Sequence, residues 1–326
     1  MPPRALITGA TGFIGSHLVD YLTDKGWDIT CWCRPESRTT RLEDRGLRLI
    51  RGQLDELDRL ARAVSGQDYI FHLAGRIHSA PREVYEQVNH VFTRNLVRAA
   101  LEAGGTLRRF VYVSSIAAAG PSETGSIKTE EQNSSPRTEY GRTKLRGEEA
   151  VREAGERLPY TIIRPPAVYG PRQRETELLM RLIQKRIVPV LKSREPVTTL
   201  IYVEDLNRGT VQAALAPEAL RETYYLTDGE TYSWRRVLFT FRDIVLSGPV
   251  YVPLPEAVIV LAASLTDGLR RARLIRSYFG RRAWKSMTQT PWLFSCDKAR
   301  FQLGFTPEYS LEQGFRKTLC GSMPYR

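Results

Sequence analysis

Short apolar runs alternate with helix-spaced apolar stripes through the first half of the chain. Ala5-Leu6-Ile7 reads as a strand, and Ile14, Leu18, Val19 and Leu22 recur at helical spacing behind it until Lys25-Gly26 ends the helix. Asp28 to Cys33 predicts a second strand, Leu47-Arg48-Leu49-Ile50 a third, and Leu57 to Val64 a helix. A fourth strand, Tyr69-Ile70-Phe71-His72-Leu73, precedes a long helix from Tyr85 to Ala103, with Val88, Val91, Phe92 and Leu96 facing the sheet. Phe110-Val111-Tyr112-Val113 is a fifth strand that finishes in Ser114-Ser115, and Tyr140 opens a helix through Leu145, Ala150 and Val151. Such alternation predicts an α/β fold, a doubly wound parallel sheet covered on both faces, with its ligand at the carboxyl ends of the strands.

Beyond Tyr169 the pattern is less regular. Ile201-Tyr202-Val203-Glu204-Asp205 and Tyr224-Tyr225-Leu226 are expected to return to the sheet, with a smaller cap around them. Pro255 to Ala263 is the most apolar helix candidate, and it leads into Arg270, Arg271, Arg273, Arg276, Arg281, Arg282 and Lys285 with no acid between Gly268 and Cys296. Two readings stay open for this stretch: a cap helix with a solvated basic face, or a peripheral contact with an anionic membrane.

Composition narrows the class. The chain has 326 residues, 42% hydrophobic and 26% charged, as in ordinary globular proteins. No window approaches the roughly 18 apolar residues of a membrane span, and the N-terminus enters a strand without a signal-peptide pattern, so a cytoplasmic protein is expected. Cys31, Cys33, Cys296 and Cys320 are too few and too scattered for a disulfide framework or a zinc site, and no metal is expected. A net charge of +12 invites an anionic partner, yet no nucleic-acid-binding motif accompanies it.

The chemistry is concentrated at strand ends. Thr8-Gly9-Ala10-Thr11-Gly12-Phe13-Ile14-Gly15 joins the first strand to a helix N-terminus, whose amides and dipole favour phosphate. Arg34, with Ser37 and Arg38 near it, follows the second strand, where an arginine accommodates the 2′-phosphate of NADP and an acid would favour NAD. Ala74-Gly75 after the fourth strand lets a cofactor approach the backbone. Tyr140 and Lys144, four apart, share a helix face, so the ammonium can draw the phenol's pKa of about 10 toward neutrality. Ser115 at the neighbouring strand end is placed to hydrogen-bond a substrate oxygen.

Taken together, TGATGFIG at 8–15, FHLAG at 71–75, VN at 88–89, VYVSS at 111–115, YGRTK at 140–144, RPPAVYGP at 164–171 and IYVEDL at 201–206 resemble the NAD-dependent epimerase/dehydratase superfamily of extended short-chain dehydrogenases/reductases. The resemblance implies a Rossmann-type NAD(P)-binding domain over 1–170, with returning segments near 200–215 and 222–228. It also implies a substrate-binding cap interleaved with that domain over 171–326. It makes Ser115, Tyr140 and Lys144 catalytic and lets Lys144 hold the nicotinamide ribose. Gly9, Thr11, Gly12, Phe13, Ile14 and Gly15 would line the pyrophosphate. Leu73, Ala74, Gly75, Pro165 and Val168 would border the cofactor further along. Gln53-Leu54 stands where many relatives have an aspartate near the adenine.

Family dehydratases carry an acid pair after the catalytic hydroxyl, where this chain reads Ile116-Ala117-Ala118-Ala119-Gly120. Nucleotide-sugar enzymes often carry an asparagine where this chain has Ala167. The run from Ser114 to Pro121 instead resembles the 3β-hydroxysteroid dehydrogenase branch. The expected activity is therefore NADP(H)-dependent hydride transfer between the nicotinamide and a secondary alcohol or ketone on a hydrophobic, sterol- or isoprenoid-like scaffold. Two alternatives remain: a nucleotide-sugar epimerase with tightly bound NAD, using Arg172, Arg174 or Arg194 for phosphate, and a non-catalytic NADP-binding sensor. The expected partner is a hydrophobic small molecule, with a homodimer left open.

Overall fold

The computed structural model describes residues 1–77, 80–104, 107–123, 126–173, 188–191, 197–245, 251–254, 256–271 and 291–322. Its centre is a seven-stranded parallel sheet built from β1 (Arg4–Thr8), β2 (Asp28–Cys33), β3 (Arg48–Arg51), β4 (Tyr69–His72), β5 (Arg109–Val113), β6 (Tyr160–Arg164) and β7 (Glu222–Tyr225). The strand order is β7-β6-β5-β4-β1-β2-β3, so the winding reverses between β1 and β4. That reversal opens a crevice at the carboxyl ends of these two strands, where open α/β sheets bind ligands.

Alternation along each strand feeds two cores, as the pleat requires. Ala5 and Ile7 of β1 join Leu18 and Leu22 of the Phe13–Asp24 helix on one face, with Leu206 from the Val203–Leu215 helix. Leu6 and Ile70 join Phe92 and Leu96 on the other, with Phe110 of β5. Burial on both faces explains why these strands read as continuous apolar runs rather than alternating ones.

Three differences from the sequence pattern have local causes. The long helix begins at Arg82 and is interrupted by one π turn, Gln87–Val91, before continuing as Phe92–Glu102. Leu200–Tyr202 pairs in parallel with Ala167–Tyr169 as a separate two-stranded sheet, and only Glu222–Tyr225 returns to the main one. The third is β6, whose buried Tyr160-Thr161-Ile162-Ile163-Arg164 ends in a charge, which hides it from a search for apolar runs.

A smaller core beside the main sheet gathers Tyr169, Tyr202, Phe241 and Phe315. The apolar segment seen in the sequence forms the Glu256–Arg271 helix, longer than expected, while Pro255 and the bases from Arg273 to Lys285 lie outside the described residues. Among the described residues no helix is long and apolar enough to cross a membrane. All four cysteines are free, and burial pushes the Cys31 thiol up to about 12.

Candidate active site

The glycine turn sits at the mouth of the crevice. Gly9 has φ +78°, and a Cβ there would lie 2.7 Å from the Ala74 nitrogen, so only glycine lets the β1 and β4 loops close together. A Cβ on Gly15 would collide with the Gly9 carbonyl, so the third glycine lets the helix pack against the turn. Gly12 caps the Phe13–Asp24 helix without any side-chain hydrogen bond, and Thr11 and Gly12 are exposed. The first amides of this helix thus face the crevice with no capping side chain, the arrangement that receives a phosphate. A dinucleotide's pyrophosphate fits this cradle.

Two buried polar links shape its rear wall. Thr8 Oγ1 lies 2.6 Å from His72 Nδ1, and His72 Nε2 lies 2.9 Å from Thr93 Oγ1. Burial, reinforced by the Lys144 charge, holds the His72 pKa well below its ordinary value, so the ring stays neutral and serves as a hydrogen-bonding strut. The Ala74 amide donates to Thr8 Oγ1 at 3.3 Å, fixing the Leu73-Ala74-Gly75 segment beside the turn.

The side of the glycine turn toward Arg38 and Arg41 is basic. A cleft beside Thr11, Gly12 and Phe13 is lined also by Arg38, Arg41 and Arg172. Arg41, Arg45 and Arg172 all pair with the one carboxylate of Asp20, at 2.6, 2.8 and 3.0 Å. Arg34 is half-exposed and pairs with Glu36 at 3.1 Å. The Gln53 amide donates to Glu56 Oε1 at 3.0 Å, and the Leu54 carbonyl accepts from Asn95 Nδ2 at 3.1 Å, so this loop is held from below.

The helix that carries Tyr140 and Lys144 packs on the turn that carries Ser115, although the two elements are separated in sequence. Ser115 caps the short Ile116–Ala119 helix, where its Oγ accepts from the Ala117 amide at 3.1 Å. That bond uses a lone pair and leaves the hydroxyl proton available to a ligand. The Glu139–Arg152 helix starts under a Thr138 cap, whose Oγ1 accepts from the Gly141 amide at 3.0 Å. A Cβ on Gly141 would strike the Ala117 carbonyl, so the helix start lies directly on the Ser115 turn. The Tyr140 ring lies 6.5 Å from that of Tyr85, centroid to centroid. Pro165 borders the same turn by accepting the Ile116 amide through its carbonyl at 3.0 Å, and Val168 packs partly buried against the main core.

Lys144 is buried, donating to the Val113 carbonyl at 2.8 Å with its ammonium 4.1 Å from the centroid of the Tyr112 ring. Burial pushes its pKa down to about 7, against an upward pull from Glu148. The unfolded chain, with an ordinary lysine at 10.5, therefore binds more protons between about pH 7 and 10.5. Stability rises with pH across that window, and the cost of burying the charge is fully present below it. A Lys144→Met variant is expected to melt above the wild type by the largest margin below pH 7, with the margin shrinking toward pH 10. Paired thermal melts across pH check this; a margin that does not change with pH contradicts it.

Several residues that build the site have no role assigned to them by the sequence. Glu148, four residues after Lys144, is fully buried. It accepts from Ser114 Oγ at 2.6 Å, from Arg164 Nη2 at 2.7 Å and Nε at 2.9 Å, and from Arg152 at 3.0 Å. Burial alone would raise this carboxyl, but the two arginines and Ser114 outweigh it and hold its pKa below the ordinary value. Asn89, in the π turn, accepts from the Arg76 amide at 2.7 Å and donates to the Arg76 carbonyl and to Thr143 Oγ1, both at 3.1 Å. The π turn thus lets one side chain bind the cofactor-side loop to the Tyr140 helix. The sequence marks Asn89 only through the Val88-Asn89 pair of the family resemblance, which assigns it no contact.

The NAD dependent epimerase/dehydratase family model matches residues 5–226. The chain belongs to this family. It is an enzyme family of NAD(P)-dependent oxidoreductases and epimerases of the extended short-chain type. The chain is 31% identical over 295 residues to ceramide reductase of Caulobacter vibrioides, covering 90% of this chain and 82% of that protein. It is 26% identical to UDP-glucose 4-epimerase of Vibrio cholerae, covering 98% and 95%. Among solved structures it is similar to gox2253, with a TM-score of 0.79, 26% identity and coverage of 98% and 97%.

Proposed function

We propose that this enzyme transfers a hydride between NADP(H) and a secondary alcohol or ketone on a lipid-like substrate. The observation that carries this reading is the wall around Ser115 and Tyr140. Behind Ser115 stand Ile116, Ala117, Ala118 and Ala119, a turn without a carboxylate, and Ile77 and Val84, both exposed, precede Tyr85, whose ring lies beside Tyr140. A turn of Ile and Ala after Ser115 suits a hydrophobic ketone and holds no carboxylate beside the serine for eliminating water. Similarity to a ceramide reductase supports a lipid over a sugar.

In this reading the bound nicotinamide supplies the hydride. Ser115 donates its free hydroxyl proton as a hydrogen bond to the carbonyl oxygen and polarises it. Tyr140 passes its proton to that oxygen as the carbon is reduced, so ketone, hydride and proton sum to the alcohol. Lys144 holds the ribose and stabilises the tyrosinate left behind, while Asn89 and Glu148 hold the loop and helix in place. Residues 1–170, with 200–215 and 222–228, form the cofactor domain, and most of 171–326 forms the substrate cap.

The nucleotide-sugar epimerase reading needs a cation for the substrate phosphate in place of the asparagine replaced by Ala167. Arg172 is engaged with Asp20 beside the cofactor turn, while Arg174 and Arg194 lie outside the described residues. The cofactor preference rests on charge: Arg34, Arg38 and Arg41 surround the adenosine end, against Glu36. Replacing Arg34 and Arg38 together by alanine is expected to weaken NADPH binding by about tenfold or more, with NADH affected less than about twofold. Titration of nicotinamide fluorescence measures both, and equal losses would remove the case for NADP. A peripheral contact with an anionic membrane also belongs to this reading.

A further inference from the structure

The Glu256–Arg271 helix reverses the usual polarity of a surface helix. Every exposed residue between 261 and 269 is Leu, Ala or Gly, namely Leu261, Ala262, Leu265, Gly268 and Leu269. Leu261 and Leu265 are each 61% exposed and Leu269 is 43% exposed, while Ala263 is fully buried. Spacing of four places the three leucines on one face, one above the other. The hydroxyls on this helix bond back to its own backbone, Ser264 to the Val260 carbonyl at 2.6 Å and Thr266 to the Ala262 carbonyl at 2.8 Å. Their polarity is therefore spent within the helix rather than on the outer face.

The charge that follows along the chain identifies the occupant. Between Gly268 and Cys296 the sequence has seven bases and no acid. A second copy of this chain would bring the same charge against itself. An anionic bilayer offers the complement, with acyl chains for the leucines and negative charge for a stretch of sequence whose charges are all basic. We propose that the Glu256–Arg271 helix lies on an anionic lipid bilayer through Leu261, Leu265 and Leu269. The proposal rests on the lipid-substrate reading for its purpose, which is to let the enzyme collect its substrate from the membrane surface. Exposure and charge carry the surface itself.

Flotation of the full chain tests it, using vesicles of equal parts phosphatidylcholine and phosphatidylglycerol beside vesicles of phosphatidylcholine alone. The wild type is expected to float with the anionic vesicles, to be released by raised salt, and to stay behind with the neutral ones. The triple variant Leu261→Gln, Leu265→Gln and Leu269→Gln keeps good helix formers and is expected to float at least about tenfold less, with NADPH binding and melting midpoint unchanged. A wild type that ignores anionic vesicles, or a variant that floats equally, overturns the proposal. So does a wild-type dimer that the variant dissolves, since the face would then bind another copy. Turnover of a short, water-soluble ketone separates the two readings. Failed flotation with intact turnover removes only the membrane surface, and flotation without any ketone turnover removes only the proposed reaction.

Discussion

Tyr140→Phe is expected to lower ketone turnover by about 10²- to 10⁴-fold, the range for removing a positioned proton donor, while NADPH affinity stays within about twofold. The cleft of Thr11, Gly12, Arg38 and Arg41 does not include Tyr140, so on the proposed reading removing one hydroxyl leaves the phosphate-binding groups in place. The ring keeps its packing against Tyr85, and Gly141 keeps its approach to the Ala117 carbonyl. Single-turnover kinetics with prebound NADPH separate the chemical step from binding. Unchanged turnover would remove Tyr140 from the chemistry and with it the reductase mechanism.

The largest loss of stability is expected from Glu148→Leu. This change leaves Arg164 buried without its bidentate partner, at a cost of about 3–5 kcal/mol, which lowers the melting midpoint by roughly 10 °C. Ser114, Arg152 and Arg164 all converge on this one carboxylate, tying the Tyr140 helix to β5 and β6. Activity should fall too, because Glu148 is the charge that supports the Lys144 ammonium. Adding Arg164→Met to Glu148→Leu should recover much of the midpoint, since the penalty lies in the unpaired charge. Thermal melts of the two single variants and the double variant decide it: a double variant as unstable as the sum of the singles would mean that the pair contributes only packing.

The contrast between these two residues shows which parts of the molecule the sequence reveals. Tyr140 and Lys144 are four apart on one helix face and Ser115 ends a strand, which local spacing shows; the family resemblance is what implies that the three act together. The Glu148–Arg164 pair joins a helix to β6, a strand whose terminal charge obscures its apolar pattern; until that strand is placed, the arginine has no visible partner. Asn89 stands in the Val88-Asn89 pair of the family resemblance, but its contacts are hidden for a related reason: the π turn shifts the helical phase at the point where its side chain turns toward Arg76 and Thr143. Strand periodicity likewise marks Leu200–Tyr202 as extended, but pairing with Ala167–Tyr169 rather than with the main sheet is set by tertiary packing. For the Glu256–Arg271 helix the sequence leaves a cap helix and a membrane contact both open, because hydropathy reports what a residue prefers and not what covers it.

The central claim is net hydride transfer to a lipid ketone. The direct measurement incubates the purified enzyme with NADPH and a dispersed long-chain or sterol ketone, and in parallel with UDP-glucose, following nicotinamide absorbance and product stereochemistry. The account predicts one NADPH consumed per alcohol formed from the ketone and no change in the sugar. Inversion of the sugar at C4 with no net consumption of nicotinamide would contradict it.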